Sequence, residues 1–251
     1  MKTVFLSFAM LLVVFSAVTF AQKSADYNKF EVYAGYLNGQ NVYSAEKDIL
    51  DFGAGGKQTV ILCNGDGAAA FGPNFTKLLC NRRNFNGFDA SVTYNVSRYI
   101  GIKADVTVQF RKEINVDKFS ATHVDTSNVT DRKYSYFGGV QIKDNASEKR
   151  VKPFAHALAG VVSERINGLD TSTNPGEGSS TFKDKPNSFG LKVGGGLDVR
   201  LSKKIDLRVI EFDYTPIFAK TRDLDCTCGF GISPTAKNTN NYTFGFGIVF
   251  H

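Results

Sequence analysis

The chain has 251 residues and a formal net charge of +6, with 30 basic and 24 acidic side chains of both signs spread along it. After the first residues no run of about 18 apolar residues occurs, which excludes a transmembrane helix from the remainder of the chain. Because no long basic run is present either, the charge does not indicate nucleic-acid binding, and we expect no nucleic-acid partner.

The first residues resemble a secretory signal peptide. Lys2 is followed by an apolar run that extends to about Val18, and Ala21 supplies the small residue expected before a cleavage site. We therefore predict a signal peptide over residues 1–21 and one exported domain over residues 22–251. The alternative is an uncleaved membrane anchor.

Alternation of apolar and polar residues recurs along the rest of the chain, and helical periodicity is nearly absent. This period of two is typical of β-strands that have one apolar face. It predicts eight strands, at residues 29–37, 87–96, 99–111, 133–143, 152–162, 188–201, 204–218 and 240–251. The third is the clearest, with apolar residues from Ile100 to Phe110 on one face and Lys103 and Asp105 on the other.

Two of the strands depart from simple alternation. The fifth, 152–162, is apolar on both faces except for His156, so its facing is not assigned. The seventh, 204–218, changes phase in its middle. One extra residue at Val209–Ile210, a β-bulge, would restore a single apolar face.

The connections between the predicted strands alternate between short and long. The short ones are NVSRY, DNASEKRV and LSKK, and the long ones are residues 38–86, 112–132, 163–187 and 219–239. Long irregular loops are uncommon in compact soluble domains. They are typical of outer-membrane barrels, which have short periplasmic turns and long outer loops.

The polar face of the strands combines glycine with charges of both signs. The glycines are Gly101, Gly139, Gly190, Gly194, Gly196, Gly245 and Gly247, and the charged residues are Glu31, Lys103, Asp105, Lys192, Asp198, Arg200 and Arg208. An eight-stranded barrel has a narrow interior, where glycine relieves crowding. Charges enclosed there must pair with one another. This favours a polar face turned inward.

Aromatic residues lie near the predicted strand ends, as in the two interfacial girdles of a membrane barrel. They are Tyr36, Phe88, Tyr99, Phe110, Tyr134, Phe218 and Phe250. The apolar face is therefore predicted to contact lipid. A soluble periplasmic ligand-binding barrel, which would turn its apolar face inward, is an alternative.

Three segments resemble small bacterial outer-membrane β-barrels, the group that includes the membrane domain of outer membrane protein A. They read DASVTYNVSRYIGIKADV, GGGLDVRLSKKIDLRVIEFDYTPIF and YTFGFGIVF. The resemblance and the strand pattern predict an all-β fold: an eight-stranded antiparallel up-and-down transmembrane barrel with four long outer loops and three short periplasmic turns. We expect it in a Gram-negative outer membrane, with both termini in the periplasm.

The resemblance also implies insertion by the barrel assembly machinery, which recognises a terminal strand with alternating aromatics. Here the final aromatic, Phe250, is followed by His251, a small departure from that pattern. A peptidoglycan-binding domain is expected to be absent, because nothing follows the eighth strand. The protein is expected to be a monomer.

No residue pattern in the chain indicates a catalytic, cofactor or metal site. Of the histidines His123, His156 and His251, only His156 has a candidate partner, Ser163. Seven residues along a strand separate the two by about 23 Å, too far for a hydrogen bond. The segment GAGGK at 53–57 lacks the spacing of a phosphate-binding loop. We therefore predict that the protein is not an enzyme and has no cofactor.

Four cysteines lie in the long loops: Cys63 and Cys80 in the first, Cys226 and Cys228 in the fourth. They fit the oxidising compartment expected of an exported chain. Two cross-loop disulfides, or a bond within each pair, are both open, although Cys226–Cys228 would be strained. The spacing does not match the usual C-x₂-C pairs of a zinc site.

Arg82 and Arg83 stand where the first long loop enters the second strand. They are candidates to contact lipopolysaccharide phosphates, and two solvated arginines are the alternative. Outer-membrane lipid is thus the expected partner. The function expected is a structural or surface-interaction role carried by the outer loops. A narrow-pore porin and a lipid A-modifying enzyme are further alternatives.

Overall fold

The structure, a computed structural model, describes residues 27–42, 48–51, 57–60, 83–118, 120, 123–145, 149–173, 179–218, 225–226, 231–234 and 239–251. Within these ranges the strands are β1 (Phe30–Val42), β2 (Asp48–Asp51), β3 (Lys57–Val60), β4 (Arg83–Asn95), β5 (Ile100–Lys118), β6 (Val124–Lys143), β7 (Val151–Ser172), β8 (Ser179–Asp184), β9 (Asn187–Arg200), β10 (Ile205–Phe218), β11 (Asp225–Cys226), β12 (Gly231–Pro234) and β13 (Thr239–Phe250). No helix in the described ranges is long and apolar enough to cross a membrane.

Eight strands close into an antiparallel barrel. In chain order β1, β4, β5, β6, β7, β9, β10 and β13 each pair with the next, and β13 pairs with β1. Closure gives every one of these strands a partner on both sides, as the lipid interior requires. The predicted all-β, eight-stranded up-and-down barrel is confirmed.

Three short connections lie at one end of the barrel, at residues 96–99, 144–150 and 201–204. The first is closed by the side chain of Ser97, whose Oγ accepts hydrogen bonds from the backbone N–H groups of Tyr99 and Ile100. Residues 27–29 and His251 lie at the same end, because Asn95 N donates to Lys29 O and His251 N donates to Lys204 O.

The predicted β-bulge in the seventh barrel strand is present. The register of β10 against β13 shifts between Arg208 and Glu211, and the register against β9 shifts between Arg208 and Ile210. The extra residue leaves Val209 and Ile210 both exposed. As a result Arg208 and Glu211, an odd number of positions apart, both face the inside of the barrel.

Several strands are longer than the alternation predicted. β5 and β6 stay paired as far as Lys118 and Val124, and β7 reaches Ser172 and pairs there with β8. The prediction of irregular loops at 112–132 and 163–187 is therefore wrong for much of both ranges. Polar residues occupy both faces of the sheet there. The alternation of apolar and polar residues that predicts a strand is therefore absent, although the strands continue. We call residues 111–118, 124–132, 164–172 and 179–184 the outer extension.

The first and fourth long connections meet outside the barrel. β12 pairs with β2, which pairs with β3, in a separate three-stranded sheet, with Ile232 opposite Leu50. The two connections are therefore neighbours, as a disulfide between them would require. Cys63, Cys80 and Cys228 lie outside the described residues, and the side chain of Cys226 is not described, so the disulfide pairing stays a prediction.

The charged face of the barrel wall points inward and the apolar face points outward. Phe88, Ile102 and Val193 are 60%, 58% and 55% exposed, whereas Lys103 and Asp198 are 1% and 0% exposed. Six of the seven charges predicted to face inward are buried, and Arg200 is half-buried. The predicted orientation is confirmed, and the alternative of a soluble barrel with an apolar interior is wrong.

The predicted aromatic girdle residues point outward, and polar side chains follow them on the outward face at the end opposite the short turns. Tyr36 Oη donates to Asn86 Oδ1 at 2.7 Å, and Tyr214 Oη donates to Asn240 Oδ1 at 2.9 Å. The outward polar residues at this level are Asn38, Asn86, Lys112, Arg132, Arg165, Asn187 and Asn240. They mark the outer limit of the lipid-facing band, where the outer extension begins.

Candidate functional site

Inward positions of the barrel strands bring many ionisable side chains together in the lumen. Those that are buried and in contact with one another are Glu31, Asp89, Lys103, Asp105, Lys143, Lys152, His156, Lys192, Asp198, Asp206, Arg208, Glu211, Asp213 and His251. We call this set the lumen network. Because every second residue of a strand points inward, members on one strand lie an even number of positions apart, except across the bulge of β10.

Arg208 is the centre of one half of the lumen network. Its Nε and Nη2 donate to the two carboxylate oxygens of Asp198 at 2.9 and 3.2 Å, and its Nη1 donates to Glu211 Oε1 at 3.2 Å. The guanidinium lies between two aromatic rings, 4.2 Å from the centroid of Tyr33 and 3.9 Å from that of Phe154. The fork geometry and the stacking are those that favour arginine over lysine.

Further ion pairs fill the lumen at the end of the barrel that has the short connections. Lys143 Nζ lies 2.8 Å from Asp198 Oδ2 and 3.0 Å from Glu31 Oε2. Lys152 Nζ and His251 Nε2 each lie 2.8 Å from Asp206 Oδ2. The terminal histidine, which departs from the aromatic ending expected of the family, therefore caps the lumen network.

Two lysines balance the carboxylates in the middle of the barrel. Lys192 Nζ donates to Asp105 Oδ1 at 2.6 Å and lies 3.8 Å from Asp89 Oδ2. Lys103 Nζ lies 3.4 Å from Glu211 Oε1. Each of these lysines thus lies within 4 Å of at least one carboxylate, as buried charges require.

His156 resolves the facing of β7, which the sequence left open: even-numbered residues face the lumen. Its Nδ1 lies 3.4 Å from Lys103 Nζ and its Nε2 lies 2.9 Å from Asp213 Oδ1. His156, Glu211 and Asp213 are close enough to be considered as metal ligands. However, the two ring nitrogens face different carboxylates, and Lys103 already contacts both His156 and Glu211. This geometry suits polar contacts of His156 with Lys103 and Asp213 rather than a metal centre.

An apolar layer fills the lumen nearer its outer end. Phe137, Leu158, Val162 and Ile217 form one buried cluster, each 3–5% exposed. Lys192 Nζ lies 5.4 Å from the centroid of the Phe137 ring, so this layer adjoins the lumen network. Ion pairs and packed apolar side chains therefore occupy the interior together.

Arg83 lies in the outer mouth of the lumen and not on the lipid-facing wall. Its Nη1 lies 3.5 Å from Asp131 Oδ2, and the residue is 9% exposed. The pairing of Arg83 with Asn41 sets odd-numbered residues of β4 inward. Both interpretations of Arg83, a contact with lipopolysaccharide and a solvated side chain, are therefore wrong. Arg82 lies outside the described residues.

The carboxyl of Asp131, beyond the outer limit of the lipid-facing band, has an altered acidity. Burial and the neighbouring carboxylate of Glu164 raise the pKa of Asp131 to about 7, against the opposing effect of Arg83 and Lys133. A proton held there near neutral pH lets the two acidic groups lie side by side. The mouth is thus a second, smaller charged cluster.

The other residues considered from sequence do not form a site together. His156 faces the lumen, whereas Ser163, an odd number of residues further along β7, belongs to the opposite face. His123 precedes β6, and its Nε2 lies 3.1 Å from Asp125 Oδ1. Of the GAGGK segment only Lys57 is described, at the start of β3.

Sequence reasoning named some members of the lumen network and missed others. Lys143, Lys152 and Asp206 were not proposed as lumen residues. Lys152 lies on β7, whose facing the sequence left open. Lys143 has the strand phase of Gly139 and Asp206 that of Arg208, so parity along the strand could have found both. His251 also has this phase, because Val249 before it is fully buried.

Comparison with solved structures gives small outer-membrane barrels at low sequence identity. The outer membrane protein OprG from Pseudomonas aeruginosa is 10% identical, with 91% of this chain and 100% of that chain covered and a TM-score of 0.49. The attachment invasion locus protein Ail of Yersinia pestis is 12% identical, with 87% and 98% covered and a TM-score of 0.36. The outer membrane protease OmpT from Escherichia coli is 10% identical, with 92% and 99% covered and a TM-score of 0.34.

Comparison with curated protein sequences found no match. The family model described as "Outer membrane protein beta-barrel domain" matches residues 7–251. This match begins inside the predicted signal peptide, so the cleavage position stays a prediction. The chain belongs to the outer membrane protein β-barrel domain family, and its location is the outer membrane.

Proposed function

We propose that this protein has a structural or surface-interaction role in the outer membrane and is neither a general porin nor an enzyme. The observation that carries the proposal is the filled lumen. The lumen network and the cluster around Phe137 and Leu158 occupy the interior from the short turns toward the outer mouth. A narrow pore would need a continuous water-filled path, and these ion pairs and packed side chains stand in its way.

The outer extension supports a role outside the lipid. A strand crosses the hydrocarbon layer with about 9–11 residues, and β7 has 22. Beyond the polar limit of the band, Ile114 and Val116 on β5 are 59% and 43% exposed, and Leu169 on β7, on the other side of β6, is 43% exposed. Ile114 and Leu169 both flank Asn128 in the sheet register. Apolar side chains grouped on a water-exposed face are characteristic of contact surfaces.

A lipid A-modifying enzyme receives no support from the geometry of the one candidate pair. The lumen-facing imidazole of His156 is held by Lys103 and Asp213, whereas Ser163 belongs to the outward face of the same strand. A catalytic pair must converge on one reacting atom. His156 therefore serves the lumen network.

Single-channel recording in planar bilayers tests the closed lumen. We expect purified, folded protein to give no discrete conductance steps, because ions would have to displace the paired charges of the lumen network. A wide porin reconstituted in the same bilayers is the positive control, and heat-modifiable gel mobility verifies that the protein is folded. Regular steps whose frequency rises with the amount of protein would show a pore and refute the proposal.

A further inference from the structure

Charges of opposite sign are segregated on the two faces of the outer extension. Glu113, Asp117, Asp125, Asp131 and Glu164 all have the inward phase, together with Arg111. The exposed outward positions carry Lys112, Lys118, Arg132, Arg165 and Lys183. Among the described side chains of the extension, no carboxylate shares this outward face. The outward face is therefore cationic, whereas the inner face, with five carboxylates and one guanidinium among these residues, is predominantly acidic.

Two arginines on this face lie directly opposite each other. Arg132 on β6 pairs in register with Arg165 on β7, which places their Cβ atoms about 5 Å apart. Like charges in this position destabilise a sheet unless something compensates them. Neither arginine forms an ion pair with a described residue. The Arg165 guanidinium lies 5.4 Å from the centroid of the Tyr134 ring, which directs it along the outer wall.

Two lysines, one on each strand that flanks β6 and β7, lie next to the arginine pair on the outward face. Lys112 lies opposite Thr130, and Lys183 lies opposite Asn167, so each is a diagonal neighbour of an arginine at about 7–8 Å. Phe110, the last aromatic of the lipid-facing band on β5, pairs with Arg132. The four cations therefore stand immediately above the aromatic girdle, at the depth of the outer-leaflet headgroups.

We propose that Lys112, Arg132, Arg165 and Lys183 bind the phosphate groups of a phosphorylated outer-leaflet glycolipid, lipopolysaccharide. Arginine forks make bidentate, charge-assisted hydrogen bonds to phosphate oxygens, and an anion between two arginines removes their repulsion. The inference rests on the proposed surface role of the extension and names one partner for it. It places lipid recognition on this pair instead of Arg83, which the mouth of the lumen encloses.

The test compares two double variants of the full protein that lose the same charge. R132A/R165A removes the arginine pair, and K203A/K204A removes two exposed lysines from the short turn at the opposite end. Each is held in a neutral maltoside micelle and titrated with lipopolysaccharide, with binding followed by surface plasmon resonance. We expect R132A/R165A to bind at least about tenfold more weakly, and K203A/K204A to bind like the original protein. R132K/R165K should fall between them.

The glycolipid phosphate is tested by repeating the titration with enzymatically dephosphorylated lipopolysaccharide. We expect binding to the original protein to be lost. Equal affinity of R132A/R165A and the original protein, or undiminished binding of the dephosphorylated lipid, would overturn the inference. Full competition by inorganic phosphate at the lipid concentration would also overturn it, by showing a free-anion site. These measurements do not involve conductance, so their outcome does not test the proposal that the lumen is closed, which single-channel recording tests separately.

Discussion

Single residues of the lumen show how a barrel can enclose many charges. Arg208, 1% exposed, satisfies two carboxylates with its guanidinium and packs each face of that group against an aromatic ring. Removing one partner from a buried ion pair leaves the other charged and without compensation, which costs far more than the pair contributes. The stability of the lumen therefore depends on complete sets of partners.

R208M is expected to lower the free energy of unfolding by about 3–5 kcal/mol, because Asp198 and Glu211 then depend on Lys143 and Lys103 alone. R208K should recover only part of the loss, since an ammonium cannot form the two-pronged contact. R200M is the matched control: Arg200 lies at the barrel rim, 3.8 Å from Asp206, and should cost about 1 kcal/mol or less. The measurement is urea-induced unfolding in detergent micelles, followed by circular dichroism. A loss for R208M no larger than for R200M would contradict the central role.

At the scale of the strands, glycine allows neighbouring backbones and lumen side chains to approach closely. A Cβ built on Gly139 of β6 would overlap the carbonyl oxygen of Ala157 and lie 2.8 Å from the Cα of Leu158, both on β7. Gly138, one residue earlier, faces outward with nothing within 4 Å of such a Cβ. The same added methyl group thus meets opposite surroundings on the two faces of one strand.

G139A is expected to destabilise the barrel by about 1–3 kcal/mol, since the backbone of β7 must move to admit the methyl group. G138A should change stability by less than about 0.5 kcal/mol, because the methyl group enters only lipid or detergent. The temperature at which the folded gel band converts to the unfolded band compares the two variants directly. Equal midpoints for G139A and G138A would show that the strands are not in tight contact there.

On the scale of the whole molecule, the outward apolar face and the two ends of the barrel fix its relation to the membrane. One end has three short connections and both ends of the described chain; the other has the outer extension. Outer-membrane barrels place short turns in the periplasm and long connections outside. We therefore propose that the end with Lys203 and His251 faces the periplasm.

An epitope inserted after Ser120, in the connection between β5 and β6 at the far end of the outer extension, is expected to bind antibody on intact cells. The same epitope inserted after Lys203 should bind only after the outer membrane is permeabilised. Both sites are exposed, polar connections, where insertions are tolerated best. Antibody binding to the Lys203 insertion on intact cells would reverse the proposed orientation.

Much of the fold could be predicted because apolar and polar residues alternate with a period of two in the sequence of each strand. The bulge at Val209–Ile210 was predictable for the same reason, since a phase change within a strand has one simple remedy. The continuation of β5 and β6 beyond Phe110 was not, because polar residues occupy both faces there. The ends of those strands are determined by backbone hydrogen bonding between β5 and β6. Such pairing cannot be recognised in a sequence that is polar on both faces.

The candidate site was predicted less well than the fold. Which face of the wall is polar follows from single residues such as Lys103 and Asp105, but which charges meet depends on register between strands far apart in sequence. The contact between Lys143 and Glu31, separated by 112 positions, is one example. Arg83 is another, because its inward direction follows from its pairing with Asn41.

By itself the sequence determined that this protein is a barrel of eight strands with its apolar face toward lipid. The alternation of polar and apolar side chains is a local property, and it can be recognised in each strand without reference to the others. Only the tertiary structure decided which buried charges are partners, that His251 caps the lumen, and that Arg132 and Arg165 stand together on the outer wall. The register between paired strands sets those contacts, and it is a property of the closed sheet.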